Sequence, residues 1–245
     1  PCQPVAPLRD AAQWRYELDG KDAFDINRVI LYMITTLSGE PAGFLACPPY
    51  PWGTAQFGTT YELVEGISWH AVTPTVLRFL WKIGQENGAT VNRRCDGIGL
   101  ALGESHPAYG VTADRLPVVR EPYAWYIRVA DLPAFLMHIR PALEARLAKS
   151  ALCGFSGSIK LTYYQKQGQE WTFENGKLTG IEAIDLMWSK ADCAFPGLTI
   201  LQLVFGYRSL KELRYAHADC WAGERSSQLL NALFPRCPSD VWAIS

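Results

Sequence analysis

Arg94, Cys95, Asp96, Gly97, Ile98 and Gly99 carry the one spacing in this chain that matches a phosphate-cradling loop, Arg-x-x-Gly-x-Gly. In such a loop small residues let backbone N–H groups close around a pyrophosphate, and the amides open directly into a helix whose N-terminus favours negative charge. Here the run 97–103 leads into Glu104, Ser105, His106 and Pro107, which leaves no room for a helix of ordinary length. The segment therefore reads as a buried strand, and no cofactor is expected on this chain. His70, His106, His138 and His217 each carry an imidazole that could serve as a base near neutral pH. Acid–base work also needs a nucleophile or orienting carboxylate within hydrogen-bond reach, which spacing does not supply, so packed or surface roles are favoured. Ser156 lies in Gly-Phe-Ser-Gly-Ser, short of a full Gly-x-Ser-x-Gly elbow, and the segment with Ser158 reads as a strand entry.

The cysteines, Cys2, Cys47, Cys95, Cys153, Cys193, Cys220 and Cys237, are odd in number and include no Cys-x-x-Cys pair. Reduced thiols in a cytoplasm are expected, and no metal site, because no Cys or His pair has metal-finger spacing. The 23 Lys and Arg against 24 Asp and Glu give a net charge of −1, so there is no basic field to hold nucleic acid or an acidic membrane surface. With 49% hydrophobic and 19% charged residues the composition is that of a folded globular chain. No apolar run reaches the ~18–20 residues that span a bilayer. A soluble, cytoplasmic protein is expected.

The elements that must position these residues fall into two parts, 1–130 and 131–245. In the first, strands at 29–35 and 42–46 flank the turn Ser38-Gly39-Glu40-Pro41 as a hairpin, and 48–53 is a proline-rich loop. A strand at 60–67 precedes a helix over 73–87, for which Thr73 and Pro74 offer a cap and a first helical residue, and Asn87-Gly88 a left-handed stop. Strands at 98–102 and 124–129 follow, separated by a loop containing Pro107, Gly110 and Pro117. In the second part Asp131 caps a helix that Pro141 bends or breaks. Strands at 157–164, 170–173 and 177–184 follow, the last two joined by Asn175-Gly176, a type I′ hairpin signal. Ser209 and Glu212 form a capping box, 225–234 is an amphipathic helix, and 241–245 is a short strand or tail. Trp171, Phe173, Leu178, Leu201, Leu203, Val204 and Phe205 gather in the second part either as an ordinary core or as the lining of an apolar ligand cavity, with solid core the default.

The runs Leu201-Gln202-Leu203-Val204-Phe205-Gly206-Tyr207-Arg208-Ser209 and Leu233-Phe234-Pro235-Arg236-Cys237-Pro238-Ser239-Asp240-Val241-Trp242 resemble the C-terminal region of multidomain GNAT proteins. With Tyr123-Ala124-Trp125-Tyr126-Ile127-Arg128-Val129 and Ile139-Arg140-Pro141-Ala142-Leu143-Glu144 the resemblance covers nearly all of the chain. It points to relatives of the enhanced intracellular survival acetyltransferases. The resemblance implies an α+β fold: a degenerate GNAT-like mixed sheet with helices over 1–130, then an antiparallel sheet packed with helices, shaped like sterol carrier protein, over 131–245. It also implies an N-terminal catalytic GNAT domain that precedes Pro1, binds acetyl-CoA and acetylates a small amine. That domain is the expected partner, with a homo-oligomer as a further option. In the family the carboxylate of the last residue is thought to assist deprotonation of the amine, and the matching position is Ser245, in a Trp242-Ala243-Ile244-Ser245 end that lacks the aromatic final residue of better-known members. Two alternatives remain: a noncatalytic module that binds a lipid or other apolar ligand through its sterol-carrier-like part, and a complete small acetyltransferase using 94–99.

Overall fold

The computed structural model describes residues 8–23, 25–116, 118–120, 127–237 and 239. They fall into two units divided between residues 122 and 123, and each unit is mixed α+β. Among the described residues no helix is long and apolar enough to cross a membrane.

The first unit opens with α1 (Ala11–Arg15), held by a capping box in which Asp10 and Gln13 satisfy each other's backbone amides. A wide helical turn over Tyr16–Gly20 follows. Beneath it Lys21, almost fully buried, places Nζ 2.5 Å from Glu17 Oε2 and 3.2 Å from the Asn27 carbonyl. Strands β1 (Ile30–Thr35) and β2 (Pro41–Cys47) form the hairpin that the apolar alternation predicts. The next extended stretch is one chain segment serving two sheets. Its first half, β3 (Ala55–Gly58), falls between the loop at 48–53 and the strand at 60–67 of the sequence reading, which assigns nothing there; its second half, β4 (Thr60–Leu63), pairs antiparallel with β2, Leu45 facing Tyr61. The joint is Thr59, whose amide and hydroxyl both donate to the Ala46 carbonyl, at 2.9 and 3.2 Å.

Helix α2 (Trp69–Thr90) begins before and ends after the predicted span. Ser68 is the cap, its Oγ accepting from the Ala71 amide, so Thr73 and Pro74 lie inside the helix rather than at its start. Gly88 does not stop it either. Gly88 is buried, and a Cβ there would stand 2.6 Å from the Arg93 carbonyl oxygen, so the residue is needed for close approach; the left-handed residue is Asn92. The helix turns Val76, Leu80 and Ile83 onto Leu45, Cys47 and Tyr61, which gives this unit its core. It then delivers the chain to β5 (Gly97–Leu100), which lies parallel to β3 with Ala55 opposite Gly97 and Gly58 opposite Leu100. Where the sequence predicts a loop the chain forms α3 (Pro107–Thr112), because Pro107 is preset for the first helical turn and His106 caps it. Of the strand expected at 124–129, residues 127–129 are not in a strand, and 124–126 lie outside the described residues, as does the 241–245 segment.

In the second unit Asp131 caps α4 (Leu132–His138), its carboxylate accepting from the Ala134 amide at 2.9 Å. Pro141 then divides the stretch, and α5 (Arg140–Ala148) resumes after Ile139. Strands β6 (Gly157–Tyr164), β7 (Gln167–Glu174) and β8 (Lys177–Asp185) run antiparallel. Asn175 and Gly176 both take positive φ, 52° and 78°, as a type I′ turn requires. Strand β9 (Cys193–Ala194) adds to β6 in parallel; α6 (Thr199–Val204) and α7 (Leu210–Ala216) follow. Strand β10 (Trp221–Ala222) closes the order β10-β9-β6-β7-β8, and α8 (Glu224–Leu233) ends the unit. Leu136, Leu143 and Leu147 from α4 and α5, and Leu229, Leu230 and Leu233 from α8, are buried in one core with Ile159, Leu161, Trp171 and Phe173 of the sheet.

Candidate functional site

Of the four histidines, His106 is the buried one. Beyond the Thr59 joint, β4 leaves the parallel ladder to pair with β2, and the edges of β4 and β5 that the ladder no longer uses are met by side chains of α3 and its cap. His106 Nε2 lies 2.7 Å from the Tyr61 carbonyl, and Nδ1 accepts from the Ala108 amide at 3.2 Å. These two partners fix the tautomer: Nε2 carries the proton and donates to Tyr61, leaving Nδ1 to cap the helix. Tyr109 Oη donates to the Leu100 carbonyl at 3.0 Å and accepts from the Leu102 amide at 3.1 Å, closing the end of β5. Trp69 sets its ring edge-to-face on both His106 and Tyr61, each at 4.9 Å, and Tyr61 Oη lies 3.2 Å from Thr73 Oγ1.

The electrostatics follow from that enclosure. Burial pushes His106 below the usual histidine range, offset in part by the Tyr61 carbonyl and by the nearby Glu62 carboxylate. Burial likewise raises the Tyr61 phenol, against the hydrogen bond to Thr73, and drives the Cys47 thiol up to about 12. With both ring nitrogens engaged and a depressed proton affinity, His106 is a structural plug rather than a base. The sequence reading gives His106 no cap role, casts Thr73 as a helix cap and singles out none of Tyr61, Trp69 and Tyr109; the available signal is His106-Pro107, a hydrogen-bond acceptor directly before a proline suited to a first helical turn.

The loop 94–99 is not open. The amides of Asp96 and Gly97 donate to the Thr54 carbonyl at 2.7 and 3.2 Å, and Gly97–Leu100 pairs with β3. Arg94 pairs with Asp96 beside it. Gly99 is small for a packing reason, since a Cβ there would stand 2.6 Å from Cδ1 and 2.8 Å from Cζ of Phe57. The position that precedes the long helix α2 holds Val64, Glu65, Gly66, Ile67 and Ser68, without an Arg-x-x-Gly-x-Gly spacing.

The other candidates are dispersed. His70 is exposed on α2, His138 is exposed in the last turn of α4, and His217 follows α7 with Nε2 buried and, among the described residues, without a hydrogen-bond partner. Ser156 Oγ accepts from the Asn175 amide at 2.8 Å, and Ser158 Oγ donates to Glu170 at 2.7 Å, so both serve the β-sheet. Among the described residues Cys47, Cys95, Cys153, Cys193, Cys220 and Cys237 are free thiols, and no three His, Cys, Asp or Glu side chains converge on a metal-binding geometry.

Trp171, Phe173, Leu178, Leu201, Leu203 and Val204 are buried together in the core of the second unit. Trp171 meets Phe234 edge-on at 6.1 Å and donates from Nε1 to Gln169, while Phe205 stacks on Phe135 at 5.4 Å. These contacts place the aromatic and aliphatic side chains against one another in the core. Ser245 lies outside the described residues. Compared with known proteins, the chain matches no family model, no curated protein and no solved structure.

Proposed function

We propose that this chain is the central and C-terminal, noncatalytic part of a cytoplasmic GNAT N-acetyltransferase resembling the enhanced intracellular survival family, whose N-terminal domain binds acetyl-CoA and acetylates a small amine. The observation that carries the reading is the arrangement β4-α2-β5 in the first unit. One strand segment breaks at Thr59, its first half lies parallel to the strand that returns after a long helix, and its second half diverges. A strand pair that diverges beside a helix N-terminus is a site where a pantetheine and its phosphates can enter, and here both parts of that site are spent. His106 and Tyr109 take up the edges past the ladder, and the segment entering α2 has no phosphate-cradling spacing. A GNAT-like domain kept for its architecture and not for its cofactor has this character. The sterol-carrier-like reading of the second unit draws support from its antiparallel sheet covered by helices, and its close-packed aromatic core gives less support to an apolar-ligand module.

The test is calorimetric and enzymatic. This chain alone is expected to give no saturable heat with acetyl-CoA in the micromolar range, while the polypeptide made from the whole open reading frame that encodes it transfers acetyl from acetyl-CoA to a small amine. A whole polypeptide that neither binds acetyl-CoA nor acetylates amines overturns the proposal. Micromolar binding by this chain that disappears on Gly97→Val overturns it in favour of a self-contained acetyltransferase.

A further inference from the structure

Helices α7 and α8 flank an open concavity of about 340 Å³ lined by Leu210, Lys211, Arg214, Tyr215, Ser227 and Asn231, within the ~300–1,000 Å³ range of small-molecule sites. Its lining holds two cations and no acid. Lys211 and Arg214 are three residues apart on α7, so they share one face, an arrangement of like charges that weakens a helix. Arg214 in the last turn at least meets the negative end of the helix, but Lys211 sits in the first turn, where a positive charge is disfavoured. Among the described residues neither cation has an acidic partner. The acid nearest in sequence, Glu212, is turned away: its carboxylate accepts from the Ser209 amide and hydroxyl and pairs with Arg236 at 3.6 Å. Across the concavity α8 presents the Asn231 amide, one helical turn from Ser227, whose hydroxyl donates to the Ala222 carbonyl at 3.3 Å. Tyr215 stands 95% exposed at the rim.

We propose that this concavity binds a small phosphorylated molecule, with Lys211 and Arg214 as the charge that neutralises the phosphoryl group and the Asn231 amide as a supplementary donor. A guanidinium fork and an ammonium point charge together suit a dianion with several acceptor oxygens, and the bound anion would supply a counter-charge that none of the described residues supplies there. The site belongs to the second unit and is independent of acetyl transfer.

Inorganic pyrophosphate titrated into the chain at about 150 mM salt, where diffuse surface charge is screened, tests the proposal by calorimetry and by amide chemical shifts. Saturable binding is expected, with shifts confined to α7 and α8. The double variant Lys211→Ala/Arg214→Ala should weaken it about tenfold or more, and Asn231→Asp, which keeps both cations and adds a carboxylate, should do the same with an unchanged melting temperature. The control Lys149→Ala/Lys190→Ala, which removes two cations of the same unit outside the concavity, should leave binding as it is. Absence of saturable binding, an equal loss in the control, or citrate binding as tightly as pyrophosphate overturns the assignment.

Discussion

Gly99→Ala separates two accounts of the glycine-containing segment in the first unit. If Gly99 is small so that a phosphate can approach its backbone, an added methyl removes ligand binding and leaves stability nearly unchanged. The structure points instead to Phe57, whose ring atoms would meet the new Cβ at 2.6 and 2.8 Å, so the ring must move by about 1 Å to restore ordinary contact. Phe57 is half-buried and packs on Trp52 at 5.4 Å between ring centres, so moving it disturbs that pair as well. Overpacking of this kind costs about 1–3 kcal/mol. Against it stands about 0.4–1 kcal/mol gained by restricting the unfolded chain when glycine becomes alanine at a compatible backbone position. The net expectation is a destabilisation of about 1–2 kcal/mol. In a Phe57→Ala background the obstruction is gone and only the gain remains, so Gly99→Ala should then be neutral or stabilising by up to about 1 kcal/mol. Amide hydrogen exchange at Leu80 and its neighbours on α2 reads the first unit alone, which matters because a two-unit chain need not unfold in one step. An equal effect of Gly99→Ala in both backgrounds, within about 0.5 kcal/mol, refutes the packing argument.

Two further outcomes follow from the polar contacts. Because burial holds His106 below the ordinary histidine value of about 6.5, the unfolded chain takes up its proton first; the stabilisation from neutral His106 is complete above pH ~6.5 and is lost as pH falls below it toward the folded value. Thermal melts at decreasing pH should show this loss in the first unit, and His106→Gln should flatten it; an unchanged slope in the variant removes His106 as the cause. Ser209→Ala deletes one half of the capping box that starts α7 and should cost about 1 kcal/mol. Titration of Glu212 by NMR should show its carboxyl rising yet staying below the usual range, since the Ser209 amide, the larger of the two causes, is retained.

What the sequence discloses and what it hides divide by range. The Asp131 cap, the break at Pro141, the Asn175-Gly176 turn and the Ser209–Glu212 box are settled within a few residues of chain, and each appears where its residues stand. The start of α2 misleads because two caps compete: Thr73-Pro74 is a good local signal, but Thr73 is fully buried against the Tyr61 hydroxyl, and the helix extends back to Ser68. Strand β3 has no pattern of its own, since Ala55, Gln56, Phe57 and Gly58 become a strand only through partners at Gly97–Leu100. The plug at His106 is hidden for the same reason, because its value lies in Tyr61, a residue of another strand.

The division of one extended segment at Thr59 also has a meaning in time. A ribosome releases the antiparallel half of the first unit early, because Leu45 and Tyr61 are close neighbours along the chain and can pair as soon as both have emerged. The partner of Ala55 is Gly97, which follows the whole of α2 in the chain. At about 5–20 residues per second of synthesis, β3 stays joined through Thr59 to a finished sheet while its own outer edge stays bare for some seconds. Such an unpaired edge is what nascent-chain chaperones shield and what aggregation recruits. Helix α2 is made during that interval and can fold over the strand face, but it offers no ladder to the edge, so the vulnerable period ends only when residues 97–100 leave the exit tunnel.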